Sequence, residues 1–383
     1  MIGWSSILIA SMQKFFLACA CLLFLVPVSP VLAAPHLYSF KAHPPIHLIG
    51  VETTAPKGLS PDKVKAAYNL PATGGSGTIA IIDAFHDATV ASDLNTFSAA
   101  FKLPLCNATS TCLEVHRMNA KTKANSGWAM ETSLDVEWAH AIAPKAKILL
   151  VEAASGSATN LLAAIDYARK RSDVVAVSMS WGGAEFPEET TLDTHFASST
   201  AVFFASAGDQ GAGVSWPAVA PGVVGVGGTS LAFTTSTVKE TAWTGSGGGV
   251  SAYEKEPAYQ ASYAIKKAGG MRAVPDVSYN ADPATGFSIY LTKATKTKGK
   301  TKAKGSWYVV GGTSAGAPQW AAIQSLGLTA SNDHFYADKA STKTTSYFRD
   351  IVSGSNGTCT YFCDAHKHYD YVTGLGSPLT VKF

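Results

Sequence analysis

The sequence predicts an α/β fold, with a mostly parallel central sheet and helices on both of its faces. Two observations carry this reading. From about residue 77 onward, continuous apolar runs without an exposed polar side alternate with helix-period segments, and strands buried on both sides belong to parallel sheets covered by crossover helices. The chain has 383 residues, 46% apolar and 15% charged. That length buries roughly three quarters of the unfolded surface, and the composition excludes a disordered chain.

In chain order the strands are expected at Thr78 to Asp83 (TIAIID), Lys147 to Glu152 (KILLVE), Val174 to Ser180 (VVAVSMS) and Ala201 to Ala205 (AVFFA). Helices are expected near Val90 to Ala100, Ala129 to His140, Leu161 to Lys170 and Glu189 to Ser199. No linker-like composition interrupts them, so one domain of about 320 residues is expected. The low-complexity run Lys293 to Gly305 (KATKTKGKTKAKG) lies between the strand-like Gly286 to Leu291 and Ser306 to Val310, and reads as the solvated tip of a long hairpin.

At the N-terminus, Lys14 precedes the apolar stretch Phe15 to Val28 and the small-residue exit Val31-Leu32-Ala33-Ala34. This is the pattern of a cleaved secretory signal, residues 1–34, which predicts a secreted, extracellular protein with no membrane attachment afterwards; the alternative is an uncleaved anchor, for which the stretch is short and carries Pro27 and Pro30. Its removal leaves Cys106, Cys112, Cys359 and Cys363, two close pairs that an oxidising compartment favours as disulfides. The spacing Cys359-x3-Cys363-x2-His366-x-His368 lacks the separated halves of a zinc module. Asn107-Ala-Thr109 and Asn356-Gly-Thr358 are glycosylation sequons. With 30 basic and 27 acidic residues, a net charge of +3, there is no field to attract nucleic acid or an anionic membrane.

Four segments can carry chemistry. Gly311-Gly312-Thr313-Ser314-Ala315-Gly316-Ala317-Pro318 is a glycine-rich turn running from a strand into a helix, where a Ser hydroxyl stands beside free backbone N–H groups. Such a turn suits a nucleophile with an oxyanion site, and equally a helix N-cap. It is not a phosphate loop, because Ala317 stands where the Lys is required. The helix Ala129 to His140 places Glu131, Leu134, Asp135 and Trp138 on one face. Two carboxylates among apolar neighbours must share protons or hydrogen bonds, unless they are first-turn acids favoured by the helix dipole. Asp209, in Ser206-Ala207-Gly208-Asp209-Gln210-Gly211, and the segment Ser178-Met179-Ser180-Trp181-Gly182-Gly183 both follow strand ends, the edge at which open α/β sheets bind ligands.

Taken together, Ser178 to Gly183 and Gly311 to Pro318 resemble the subtilisin-like fold, and Ile81-Ile82-Asp83 resembles the strand bearing its catalytic Asp. No His is followed by Gly, so the His-Gly-Thr motif of subtilisins is absent. Glu131-x3-Asp135 stands in the corresponding helix, and Asp209 stands where subtilisins place an oxyanion Asn. This pattern resembles the sedolisin family of serine-carboxyl peptidases, as do Gly245-Ser246-Gly247-Gly248-Gly249, Arg272-Ala273-Val274-Pro275-Asp276 and Ala281-Asp282-Pro283-Ala284-Thr285-Gly286. The likeness covers residues 59–383.

The resemblance implies a serine-type endopeptidase with an acidic optimum. Ser314 would be nucleophile, Glu131 general base and then acid, Asp135 its orienting group, and Asp209 an oxyanion donor beside the Ser314 N–H. Ser180, Trp181 and Gly182 would pair with the backbone of an extended protein or peptide substrate. One structural calcium ion is implied near Asp350, Ile351, His366, His368 and Asp370, with His366 and His368 standing where the family usually has glycines. Relatives usually carry a long folding prosegment, whereas here a short extension, residues 35–58, precedes the domain. A monomer is expected. The alternative from another class is a catalytically silent peptide-binding member of the same fold. A nucleotide-binding reading fails, because the first strand leads into Ala84-Phe85-His86 and not into a glycine-rich turn.

Overall fold

The structure, a computed structural model, describes residues 39–379 except 108, 199, 235–236, 298–299 and 341–346. The expected signal segment, residues 1–34, lies outside the described residues. Among the described residues no helix is long and apolar enough to cross a membrane.

The main elements are β1 (His47–Thr53), β2 (Thr78–Ala84), α1 (Val90–Ala100), β3 (Leu113–Arg117), α2 (Ser126–Ile142), β4 (Lys147–Ala153), α3 (Ala158–Arg169), β5 (Val174–Met179) and β6 (Val202–Ser206). They continue as β7 (Val223–Phe233), β8 (Val238–Ala242), β9 (Val277–Asn280), β10 (Phe287–Thr297), β11 (Lys300–Gly311) and α4 (Gly316–Ser325). Eight strands form the central sheet in the order β8-β7-β6-β5-β2-β4-β3, with β9 also paired to β7. Every pairing in it is parallel except β8 with β7. Parallel pairing brings the carboxyl ends of β2, β5 and β6 to one edge. Buried side chains cover both faces of the sheet, with α2 and α4 packed on one and α3 on the other.

The sequence signals act locally as expected in most places. All seven residues of β2 are buried, which is why the run shows no alternation. Asn125 caps α2 by accepting from Gly127 N and Trp128 N. The expected helix Glu189 to Ser199 is instead a 3-10 helix, Glu189–Phe196. Its Glu189 carboxylate accepts from Phe186 N, and the Thr-rich sequence that follows offers little helix propensity. The basic run is also corrected. The hairpin is present, but Lys293 to Thr297 and Lys300 to Gly305 are strand rather than solvated loop, since β10 and β11 stay in register from Phe287↔Val310 to Thr297↔Lys300. The β-branched Thr residues that alternate with Lys suit a two-stranded ribbon.

Disulfides link Cys106 to Cys112 and Cys359 to Cys363. The two sequons differ in access. Asn107 is exposed, whereas Asn356 is buried and its amide donates to Ser246 O at 2.7 Å.

The motif Arg272 to Asp276 acquires a physical reason. Arg272 and Asp276 form a fully buried ion pair, and Asp276 also accepts from Gly225 N at 2.8 Å and Tyr336 Oη at 2.9 Å. It thereby fastens β7 to the segments that carry the C-terminal loops. The Gly245 to Gly249 run serves close backbone approach: a Cβ at Gly247 would collide with the Ala207 carbonyl, and one at Gly248 with the Tyr371 carbonyl. Removing one partner of a buried pair strands the other charge, so Asp276→Ala should lower unfolding free energy by about 3–5 kcal/mol. Urea unfolding followed by circular dichroism checks this, and an unchanged midpoint would mean that the pair is not what fastens β7.

Candidate active site

Five segments converge at the carboxyl edge of the sheet. Helix α2 brings Glu131 and Asp135, which lie one turn apart and are both fully buried. Strand β2 ends with Asp83, also fully buried. Ser180 follows β5, and Asp209 lies three residues beyond β6. Ser314 sits in the 3-10 turn Thr313–Ala315 that opens α4.

The carboxylates share an environment that disfavours charge. Burial pushes the Glu131 pKa well above the usual carboxyl range, and the nearby Asp83 pushes it further, against the Ser314 hydroxyl that faces it. Asp135 is raised by the same burial, then by Asp83 and by Glu131. Asp83 is pushed up to about 7, chiefly by burial. Both carboxyls therefore hold their protons more tightly than exposed ones do. Neither Glu131 oxygen closes a hydrogen bond in this arrangement, and Ser314 Oγ donates to Ser180 O at 3.4 Å.

The Ser180-Trp181-Gly182 segment divides its tasks. Ser180 Oγ donates to Asp135 Oδ1 at 2.8 Å and lies 3.1 Å from Ser314 O, so its side chain faces the carboxylates. Trp181 is buried, its indole N–H donating to Ile82 O at 2.9 Å. Gly182 alone presents its backbone N–H and C=O to a neighbouring extended segment.

Asp209 is held from one side. Its Oδ1 accepts from Thr313 N at 2.8 Å and from Thr313 Oγ1 at 2.7 Å, and Oδ2 lies 3.0 Å from His47 Nε2. Burial raises its pKa, while His47 and Thr313 oppose that rise. The sequence reading gives Thr313 and His47 no place at the site, and Asp83 only a likeness to a strand that bears a catalytic Asp. Asp83 was visible as a strand-end acid, and Thr313 as the neighbour of Ser314. His47 leaves no signal, because the fold alone brings it to a residue so distant in sequence.

The five residues of the implied calcium site gather in the C-terminal loops. Asp350 Oδ2 accepts from His368 N at 3.0 Å, and its Oδ1 is buried without a partner. Asp370 accepts from Val372 N, Thr373 N and His366 N. His368 has φ 69°, the left-handed conformation that a glycine adopts readily. An orphaned carboxylate oxygen of Asp350, in loops that also carry the buried carboxylate of Asp370, is a donor of the kind that a hard, oxygen-ligated cation takes.

No family model matches the chain. Curated relatives that match include sedolisin of Pseudomonas sp. (strain 101), 28% identical over 371 residues, covering 84% of this chain and 60% of that protein, and kumamolisin of Bacillus sp. (strain MN-32), 30% identical over 379 residues, covering 86% and 64%. The chain therefore spans less than two thirds of the length of these relatives. Among solved structures, Pseudomonas sedolisin, a serine-carboxyl proteinase in complex with two molecules of pseudo-iodotyrostatin, superposes with a TM-score of 0.70 at 26% identity, covering 86% of this chain and 97% of that one. Sphericase, with a TM-score of 0.51 at 18% identity, shares the fold. In fold and in sequence the chain resembles the sedolisin family of serine-carboxyl peptidases and has its subtilisin-like fold.

Proposed function

We propose that the chain is a secreted serine-carboxyl endopeptidase that cuts protein or peptide substrates through an acyl-enzyme at acid pH. The observation that carries this reading is a buried Ser at a helix entrance facing Glu131, with Asp135 behind it and Asp209 on the adjoining loop. Residues 59–383 are then the peptidase domain, residues 35–58 an extension and residues 1–34 a removed signal, and the working unit is a monomer. The apolar N-terminal run and the two disulfides support an extracellular location.

In this mechanism Glu131 takes the Ser314 proton as the hydroxyl oxygen attacks the substrate carbonyl. Protonated Asp135 donates to Glu131 and fixes its orientation, and Ser180 fixes Asp135. The developing oxyanion is stabilised by the Ser314 N–H and by Asp209, which must be protonated to donate. Glu131 returns its proton to the leaving amine, and a water activated by the same carboxylate releases the acyl group. Gly182 aligns the substrate backbone.

Ser314→Ala and Glu131→Ala should each lower peptide turnover by several orders of magnitude with an unchanged circular dichroism spectrum. A folded Ser314→Ala protein with full activity would sink the assignment.

Asp209 also sets the alkaline limit. Burial raises its pKa, so it stays neutral and donating below the raised value and is lost as a donor when pH rises through it. Asp209→Asn supplies a donor at every pH and should move the alkaline limb of kcat upward, even if the maximum falls. An unchanged limb would assign the limit to another group.

Calcium would be held by the Asp350 and Asp370 carboxylates with carbonyls of Ile351, His366 and His368, and would supply charge that ties the C-terminal loops together. Saturating calcium at about a hundredfold above its Kd stabilises the fold by about 2.7 kcal/mol. The melting temperature should therefore rise with calcium and fall with a chelator. Indifference to both would rule the site out.

A further inference from the structure

Helix α2 carries a buried imidazole that the peptidase reading leaves unused, His140 in its last turn. A ring nitrogen of His140 and the sulfurs of Cys106 and Cys112 all lie within 4.8 Å of one another. Nε2 donates to Pro104 O at 2.8 Å, because a carbonyl can only accept. Nδ1 is buried and has no partner. A proton there would be a buried N–H with nothing to donate to, so Nδ1 holds a free lone pair. A ligating His commonly donates its other N–H to a carbonyl, which fixes the ring, and Pro104 supplies that bond here.

Both cysteines are placed by backbone bonds that do not depend on the disulfide. Asn95 of α1 grips Cys106 twice, its Oδ1 accepting from Cys106 N and its Nδ2 donating to Cys106 O, each at 2.8 Å. Cys112 O accepts from Ile148 N of β4 at 2.7 Å. Between the two, Thr111 N donates to Asn107 O at 3.0 Å and closes the loop on itself. The thiols of a reduced chain therefore still face His140. A cavity of about 510 Å³, lined in part by Cys106, Asn107 and Thr111, opens beside them, so a reductant or an ion can reach sulfur from that side.

Two thiolates and an imidazole nitrogen are donors that zinc takes, and a site with three protein ligands leaves its fourth position to water. Tetrahedral bonds of about 2.0–2.3 Å set neighbouring donors about 3.5–3.8 Å apart, so atoms that already lie within 4.8 Å close on an ion with a shift of about 1 Å. In the disulfide the sulfurs are bonded to each other, and neither can ligate as a thiolate. The two states exclude each other.

We propose that Cys106, Cys112 and His140 form a zinc site in the reduced chain, and that closure of the disulfide between the two cysteines expels the ion. A dithiol reductant gives two electrons to the disulfide, which opens to two thiols while the dithiol closes to its own disulfide. Zinc then displaces the two thiol protons, which go to solvent, and takes the Nδ1 lone pair as it stands. In reverse, a small-molecule disulfide accepts two electrons from the bound thiolates and becomes two thiolates, and the ion leaves with its water. A newly made chain has its thiols before oxidation. The ion then holds the connection between α1 and β3 against the end of α2 until the disulfide closes.

The test titrates the full chain, reduced with a dithiol and then freed of it under argon, with cobalt(II) as a spectroscopic stand-in for zinc. A thiolate-to-metal absorption band should appear and saturate at one cobalt per chain, and added zinc should abolish it by displacement. The oxidised chain should show no band. Cys106→Ser with Cys112→Ser should remove it, whereas Cys359→Ser with Cys363→Ser should leave it. His140→Ala should weaken cobalt binding by about a hundredfold or more, since loss even of a group that only orients a ligand costs about ten- to a hundredfold. His140→Gln, which can still donate to Pro104 but has no ring nitrogen, serves if the alanine variant fails to fold. A band that survives loss of Cys106 and Cys112, or an unchanged affinity in the His140 variants, overturns the proposal. So does a reduced chain that loses its circular dichroism spectrum before metal is added, because the backbone bonds would then fail to hold the thiols in place.

Discussion

Three buried acids, Asp83, Glu131 and Asp135, stand together, and among the described residues none of them is in an ion pair. They cannot all ionise, because each charge would be set in a poorly solvated space beside another of the same sign. The cluster is therefore defined by the protons that it retains. Helix α2 must be buried almost all round, Ser180 must turn inward to Asp135, and Thr313 must hold Asp209 from the far side. A solvated cluster would ionise freely and lose the ordering of acid and base among its members.

The same constraint explains the scaffold. A parallel sheet delivers Asp83, Ser180 and Asp209 to one edge from three strands, and α2 delivers a pair one helical turn apart. Rigid elements supply the precision, while the loops at the edge supply the variable chemistry. The buried Arg272–Asp276 pair and the glycine run around Gly247 anchor the loops rather than take part in the site.

Much of this was legible in the sequence, for identifiable reasons. The runs TIAIID and KILLVE are apolar at every position, so burial on both sides showed directly, and Glu131 and Asp135 shared a helix face with Leu134 and Trp138. What escaped depended on partners distant in sequence. β7 is rich in glycine and lacks the usual strand signature, yet it is the common neighbour of β6, β8 and β9. The Lys-Thr ribbon looked like a loop because its composition is polar, although its alternation has the period of a strand. The Glu189 segment has a helical pattern, but its first carboxylate accepts from Phe186 N, a contact the pattern does not show. The path of residues 40–47 has no sequence signal, since its contacts lie with Gly156, Gly182 and Asp209.

The crossing at Gly247 and Gly248 acts as a mechanical junction. Main chain from three regions meets there: Ala207, two residues before Asp209; the glycine run itself; and Tyr371, next to Asp370. Side chains in contact can absorb a displacement by changing rotamer, whereas backbone against backbone has no such slack. Movement of the C-terminal loops is thus transmitted to the oxyanion loop with little loss, and the rigidity of one sets the positional noise of the other. In engineering terms the two loops share one tolerance, so a substitution that relaxes either is felt by both.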